Sequence, residues 1–265
     1  MPIEVNTELR NYTQDEFHAL AHQVMGIVFQ VHNDLGRLMD ESIYQTAIAC
    51  RCETAGIVPV QREVEIQVAY RGFQKSYFMD LLLMSGMMVE LKTVSQLNRS
   101  HRAQALNYLL LSEMQHGLLV NLRSDRVQKQ FVSTTLDAAA RRRIIVDDAH
   151  WRPANDASRR LHSIFLDLLA DWGAFLQTSL YREAVVACFG GSTAALQRIP
   201  IYDADTVVGT HEVCLITDDT AFALTAVKRG KLQMADQLKR FLSHTGLSSI
   251  QWINMDNHHI EFKTL

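Results

Sequence analysis

Little in this sequence favours a secreted or membrane-bound protein. Its 265 residues include only four cysteines. Cys50 and Cys52 are two apart, and Cys188 and Cys214 form no second close pair. Zinc and iron–sulfur ligand spacings are therefore lacking, and reduced thiols in a cytoplasmic chain are the expectation. No apolar run is long enough to cross a bilayer, and Met1-Pro2-Ile3-Glu4 opens no basic and then apolar leader. No membrane partner is expected. Low-complexity tracts are absent too, while 48% of the residues are hydrophobic. Such a chain buries a real core as one large or two modest domains. A basic excess is missing as well: 26 Lys and Arg against 29 Asp and Glu give a net charge of -3. That argues against a strong non-specific grip on nucleic acid. It leaves room for a carboxylate site served by a local basic strip. The run Arg141-Arg142-Arg143 reads as the solvated end of an element rather than as that strip.

What is present is clear periodicity. Phe17, Leu20, Ala21, Val24, Ile27, Val28, Val31 and Leu35 follow helical spacing, and Gly36 is placed to end that helix. A second helix is predicted over 41–55, with Ile43, Tyr44, Ala47 and Ile48 on one face and Gly56 after it. The period then changes. Val64, Ile66, Val68 and Tyr70 alternate with polar residues, as a strand does. Gly72 marks a turn, 76–84 a second strand, Ser85-Gly86 a hairpin turn and 87–94 a third strand. Residues 99–114 are helical, and 117–121 and 127–132 are short strands.

The order then recurs. Residues 156–171 are helical, with Leu161, Ile164, Phe165, Leu168 and Leu169 as the apolar stripe and Gly173 following. Gly36 and Tyr44 reappear as Gly173 and Tyr181, both at an offset of 137 (173 − 36 and 181 − 44). Ala47-Ile48-Ala49-Cys50 matches Ala184-Val185-Val186-Ala187 in character. Further on the offset is 133 (199 − 66), which pairs Ile66 with Ile199, Ser85-Gly86 with Asp218-Asp219, and Gln104 with Gln237. Ordered self-similarity with one gap implies a repeated unit. Two tandem domains are expected, 1–147 and 148–265, packed as an intramolecular pseudo-dimer, with a homodimer as a further option.

Chemistry concentrates in Asp80 to Lys92. Glu90 and Lys92 are two apart on a strand and share a face, while Val89 and Leu91 point to the core. Asp80 lies one hairpin earlier, so its carboxylate converges on Glu90. Charges projecting from strands this apolar are costly unless paired or metal-bound. Magnesium takes oxygen ligands, commonly one or two carboxylates with water and phosphate, and phosphodiester hydrolysis uses such an ion. His101 reads as the start of a helix, Tyr44 as core, and His258-His259 as a hairpin turn.

Asp80 followed by Glu90-Leu91-Lys92 resembles the signature of the PD-(D/E)XK nuclease superfamily. With Glu41-Ser42-Ile43-Tyr44 upstream and Gln104 to Leu109 downstream, the stretch 24–132 is similar to the bacterial group named for its GxxExxY motif. The resemblance implies an α/β fold of two tandem restriction-endonuclease-like domains, each a small mixed β-sheet flanked by α-helices. It implies Mg2+ or Mn2+ held by Asp80, Glu90 and the carbonyl of Leu91, with Glu41 as a further acidic ligand or base. Lys92 would position the attacking water, and Gln104 and Tyr108, four apart on a helix, would line the site beside a nucleic-acid substrate, DNA by preference. The motif glycine three before Glu41 is Leu38 here, although Gly36 remains.

In the second copy Glu41 becomes Thr178, Asp80 becomes Val213, Glu90 becomes Ala223 and Lys92 becomes Thr225. That copy is expected to be a degenerate domain with a structural or substrate-channel role. A DNA-cleaving hydrolase in the N-terminal domain is therefore the primary expectation. The alternative is a catalytically silent nucleic-acid-binding or protein-interaction module on a nuclease fold.

Overall fold

The computed structural model describes residues 2–265; Met1, read above with the N-terminal residues, lies outside them. The chain divides into two compact units, one running up to Ala69 and over Gln74–Asp137, the other comprising Tyr70–Phe73 and Ala138–Leu265. Each carries a six-stranded mixed sheet flanked by helices. Among the described residues no helix is long and apolar enough to cross a membrane.

In chain order the first sheet and its helices are β1 (Ile3–Val5), α1 (Gln14–Leu35), α2 (Glu41–Thr54), β2 (Val60–Tyr70), β3 (Phe73–Leu83), β4 (Met87–Lys92), α3 (Arg99–Ser112), β5 (His116–Asn121) and β6 (Gln128–Ser133). The sheet order is β1-β2-β3-β4-β5-β6. Helix α1 starts at a capping box in which Thr13 and Glu16 satisfy each other's backbone N–H groups, and it stops at Gly36 with φ +70°. Its apolar stripe from Phe17 to Val31 is buried with Tyr44 and Ile48 of α2 against Val89 and Leu91 of β4 and Leu118 and Val120 of β5. Each such large apolar side chain contributes about 1.5–3 kcal/mol on burial. Helix α3 carries the chain between the parallel strands β4 and β5. It starts at Asn98, whose side chain accepts from the N–H groups of Ser100 and His101, while His101 Nδ1 accepts from Asn98 N at 3.1 Å. His101 thus serves the helix start, as its position predicts.

The β3–β4 hairpin sets the geometry that follows. Leu81 faces Val89 and Leu83 faces Met87. The three-residue connection, 84–86, holds Met84 at φ 49° and Ser85 at φ 58°, the left-handed pair of a tight turn closed by Gly86 N–H donating to Leu83 O at 3.0 Å. Gly86 is needed for space rather than for φ. A Cβ there would lie 2.1 Å from Tyr12 Cε2 and 2.8 Å from the Arg10 carbonyl oxygen. The segment is held on the turn by Arg10 N donating to Ser85 O at 2.7 Å. Gly86→Ala is expected to cost about 1–3 kcal/mol through overpacking. A lower urea midpoint with unchanged m-value would register it; an unchanged midpoint would contradict it.

The second unit contains α4 (Ala138–Arg141), β7 (Ile145–His150), α5 (Asp156–Trp172), α6 (Thr178–Cys188), α7 (Ser192–Ala195), β8 (Leu196–Asp203), β9 (Thr206–Thr217), β10 (Thr220–Thr225), α8 (Lys231–Ser243), β11 (Ser249–Asp256) and β12 (His259–Thr264). Its sheet order is β7-β12-β11-β10-β9-β8. Strand β7 spans the boundary expected at 147/148 and pairs within this second sheet. Strands β8 to β12 follow the neighbour order of β2 to β6, and β10 and β11 are the parallel pair, as β4 and β5 are. The sixth strand lies on opposite edges: β1 beside β2, and β7 beside β12.

Residues at the repeat offsets make the same bonds. Tyr44 Oη donates to Gly36 O at 2.6 Å, and Tyr181 Oη donates to Gly173 O. Asn121 accepts from Val94 N at 3.0 Å and donates to Val94 O at 2.8 Å. Asn254 accepts from Val227 N at 2.8 Å and donates to Val227 O at 3.0 Å. Both of these residues are displaced by 133 (254 − 121 and 227 − 94).

One expectation needs correction. Arg141 is not part of a solvated end. It is 1% exposed, and its Nη1 donates to Trp172 O at 2.5 Å. The last carbonyls of a helix lack intrahelical donors, and Arg141 satisfies one at the end of α5. Arg142 does the same for Asp171 O at 2.8 Å from an exposed position.

Candidate active site

Glu90 and Lys92 project from one face of β4. Continuing the pairing of Leu81 with Val89 sets Asp80 of β3 against Glu90. Asp80 Oδ2 accepts from the backbone N–H of Leu91 at 2.6 Å, which fixes the carboxylate across the hairpin. Lys92 Nζ donates to Glu90 Oε1 at 2.7 Å and to the Leu91 carbonyl at 2.8 Å. Glu41, the first residue of α2, places Oε1 4.0 Å from the same ammonium. An ammonium surrounded in this way marks a point where oxygens converge on positive charge. Glu90 is only 1% exposed, and its Oε2 is buried without a hydrogen-bond partner.

The electrostatics follow from this burial. Burial pushes the Glu90 carboxyl up to about 8, with the charge of Asp80 adding and Lys92 opposing. Burial likewise raises Asp80 to about 6, against the Leu91 N–H and Lys92. Lys92 is raised: burial works against its charge, but Glu90, Asp80 and Glu41 outweigh it. Two carboxylates this close titrate as a pair, and the pair retains a proton near neutral pH when Lys92 is the sole cation beside it. On α3, Gln104 Nε2 donates to Tyr108 Oη at 2.9 Å. Burial raises the Tyr108 phenol, which also feels Glu90, Lys92 and Asp80, so these two residues border the acidic pair.

Two neighbours escape a reading of the sequence. Gln45 is 4% exposed, and its Nε2 donates to Asp80 O at 2.8 Å and to Glu63 Oε1 at 2.5 Å. Glu63 sits at φ 49° within β2, and its charge helps to raise Asp80. A glutamine next to Tyr44 on the inward face of α2 was the available signal. The kink at Glu63 left no signal in the alternation.

Among the described residues no three His, Cys, Asp or Glu side chains form a cluster able to hold a metal ion. What the site offers is narrower: two buried carboxylates and a main-chain carbonyl, with Glu41 further out. One or two carboxylates completed by water and substrate oxygen is a usual donor set for Mg2+, and the orphaned Glu90 Oε2 is an oxygen that such an ion would satisfy.

The equivalent positions of the second unit carry no charge. Val213 is 8% exposed, Ala223 faces a cavity, and Thr225 Oγ1 is tied to Asn254 Oδ1 at 2.7 Å and to Trp252 Nε1 at 2.9 Å.

Comparison with known proteins agrees with this geometry in part. No curated protein matches the chain. A solved structure described as "Crystal structure of SSO0001" is 18% identical, with a TM-score of 0.30 over 47% of this chain; the match spans 63% of that structure's length. Residues 18–133 match the family model of the PD-(D/E)XK nuclease superfamily. The two six-stranded mixed sheets flanked by helices are consistent with restriction-endonuclease-like domains. The matched stretch runs from α1 to β6 with Asp80, Glu90 and Lys92 inside it, and over these residues the chain is similar to the PD-(D/E)XK nuclease superfamily.

Proposed function

We propose that the first unit hydrolyses phosphodiester bonds of nucleic acid, DNA by preference, with one Mg2+ or Mn2+ held by Asp80, Glu90 and the Leu91 carbonyl. The observation that carries this reading is Glu90: a carboxylate 1% exposed, one oxygen without a partner, beside a second carboxylate. Burying such a pair for stability alone is unfavourable, and a divalent cation removes the penalty. The match of residues 18–133 to the PD-(D/E)XK nuclease superfamily model points to the same chemistry. When bound, the ion neutralises charge developing on the phosphate and makes water a better nucleophile at neutral pH.

The chain's own residues do the rest. The Leu91 N–H holds Asp80 in place. Asp80 and Glu90 would hold the cation as carboxylates, releasing the proton that burial keeps on the pair. Lys92, a donor with three N–H bonds, orients the attacking water and adds positive charge beside the scissile phosphate. Glu41, at the mouth of the site, accepts a proton or holds an outer water. Gln104 and Tyr108 position the substrate backbone through their coupled amide and phenol.

We further propose that the chain is a tandem duplication of a GxxExxY-type unit. The shared strand order and the equivalent Tyr–Gly and Asn–Val bonds support this. The second unit then has a structural or substrate-holding role and no catalysis of its own. Incubating the full chain with labelled linear, circular and single-stranded DNA and with RNA tests the function. Cleavage with Mg2+ or Mn2+, abolished by EDTA, is expected. Folded protein that cleaves none of them would point instead to a silent binding module.

A further inference from the structure

We infer that the second unit binds a nucleotide, base inward, in the cleft where it has lost the acidic residues. The cleft has a volume of about 400 Å3 and is built from the second unit alone. Its floor includes Val213 and Ala223, the positions of Asp80 and Glu90 in the first unit. The volume falls within the range of about 300–1,000 Å3 usual for small-ligand sites. With Val213 and Ala223 in place of two carboxylates, this part of the cleft is apolar and lacks an acidic pair for a metal ion, while a flat aromatic group finds contact there.

Three features select a nucleotide. First, one wall is aromatic: His211 and Phe241 meet edge to face with centroids 5.3 Å apart. Bases stack on such surfaces whatever their identity. Second, Gln237 lines the cleft, and its exposed side-chain amide makes no hydrogen bond among the described residues. An amide offers both donor and acceptor to the edge of a base. Third, Arg182 lines the same cleft with an exposed side chain that has neither ion pair nor hydrogen bond among the described residues. A free guanidinium beside an apolar slot suits a phosphate. Glu212 shares that rim. It keeps the phosphate on the Arg182 side and accepts from a sugar hydroxyl. The ligand is a nucleoside monophosphate, free or as one unit of a single strand. Binding in this cleft needs no catalysis at Asp80.

The test uses the full chain in EDTA, where cleavage is silent whatever the first unit does. Calorimetric titration with dAMP, deoxyadenosine, ribose 5-phosphate and a short single-stranded oligonucleotide reads the site. One saturable site per chain for dAMP or for the oligonucleotide is expected, with ribose 5-phosphate not bound. Ala223→Leu, which fills the slot, should weaken binding at least about tenfold. Arg182→Ala should weaken dAMP about tenfold and leave deoxyadenosine unchanged, since a charge-assisted phosphate contact is lost. Arg182 and Gln237 are exposed, so Arg182→Ala and Gln237→Ala carry the test if Ala223→Leu fails to fold. Binding of dAMP without the oligonucleotide identifies a free nucleotide as the ligand, and the reverse identifies a strand. Absence of binding by both, ribose 5-phosphate binding as tightly as dAMP, or affinity unchanged in the variants would overturn the inference.

Discussion

Asp80→Ala and Lys92→Ala are each expected to lower metal-dependent cleavage by about 10^3-fold, the scale on which transition-state charge stabilisation acts. The two losses have different causes. Without Asp80 the Leu91 N–H is left bare, because Asp80 Oδ2 is its 2.6 Å acceptor, and Glu90 is the remaining buried carboxylate. Metal affinity should fall, and rising Mg2+ or Mn2+ should recover part of the rate. Without Lys92, Glu90 Oε1 and the Leu91 carbonyl both lose a donor. The two carboxylates stay, so metal binding should persist while kcat drops, and extra metal should recover nothing. Steady-state kinetics across metal concentration separates the cases. A Lys92→Ala enzyme with a normal kcat would remove Lys92 from the chemistry.

Glu90→Gln should abolish cleavage and yet stabilise the metal-free protein at pH 8. Burial holds the Glu90 carboxyl up at about 8 in the folded chain, far above its ordinary value of 4.5. Between those values the folded state keeps a proton that the unfolded state has released. Stability therefore falls as pH rises through this window. Asp80, raised to about 6 from 3.8, adds to the loss between those two values. In EDTA the wild type should become less stable from pH 5 to pH 8. Glutamine removes most of that slope and gains on the order of 1–2 kcal/mol at pH 8, after part is lost with the partner of Lys92. Saturating Mg2+ should restore the wild type at pH 8 by mass action and leave the variant unmoved. Thermal melts at pH 5, 6.5 and 8, with and without metal, read both effects. A wild type whose stability rises over this range in EDTA would contradict the placement of Glu90.

Much of this was legible because periodicity carries it. The stripe of α1 and the alternation of Val64, Ile66, Val68 and Tyr70 appear in the structure as buried faces. The two-residue spacing of Glu90 and Lys92, with Asp80 a hairpin away, is enough to bring the three side chains to one face. What stayed hidden lacks a local signature. Strand β1 is three residues long, too short for its Ile3-Glu4-Val5 alternation to stand out, and every residue of β7 is exposed. Gln45 reaches the site by two long-range bonds, and Glu63 by a kink at φ 49°. Arg141 and Arg142 look alike in sequence. One is buried against the end of α5 and the other is exposed, a difference set by tertiary packing around Gly173, whose missing side chain lets the Arg141 backbone approach. The second unit was informative for the opposite reason: its Tyr181, Gly173 and Asn254 make the same bonds as their counterparts in the first unit, while its Val213 and Ala223 have no charge to satisfy.

Binding of Mn2+ to the full chain, followed by electron paramagnetic resonance with Asp80→Ala in parallel, tests the central claim most directly. One saturable ion per chain is predicted for the wild type, and its loss or marked weakening in the variant. Absence of a saturable site in the folded wild type, or a site that Asp80→Ala leaves untouched, would contradict it.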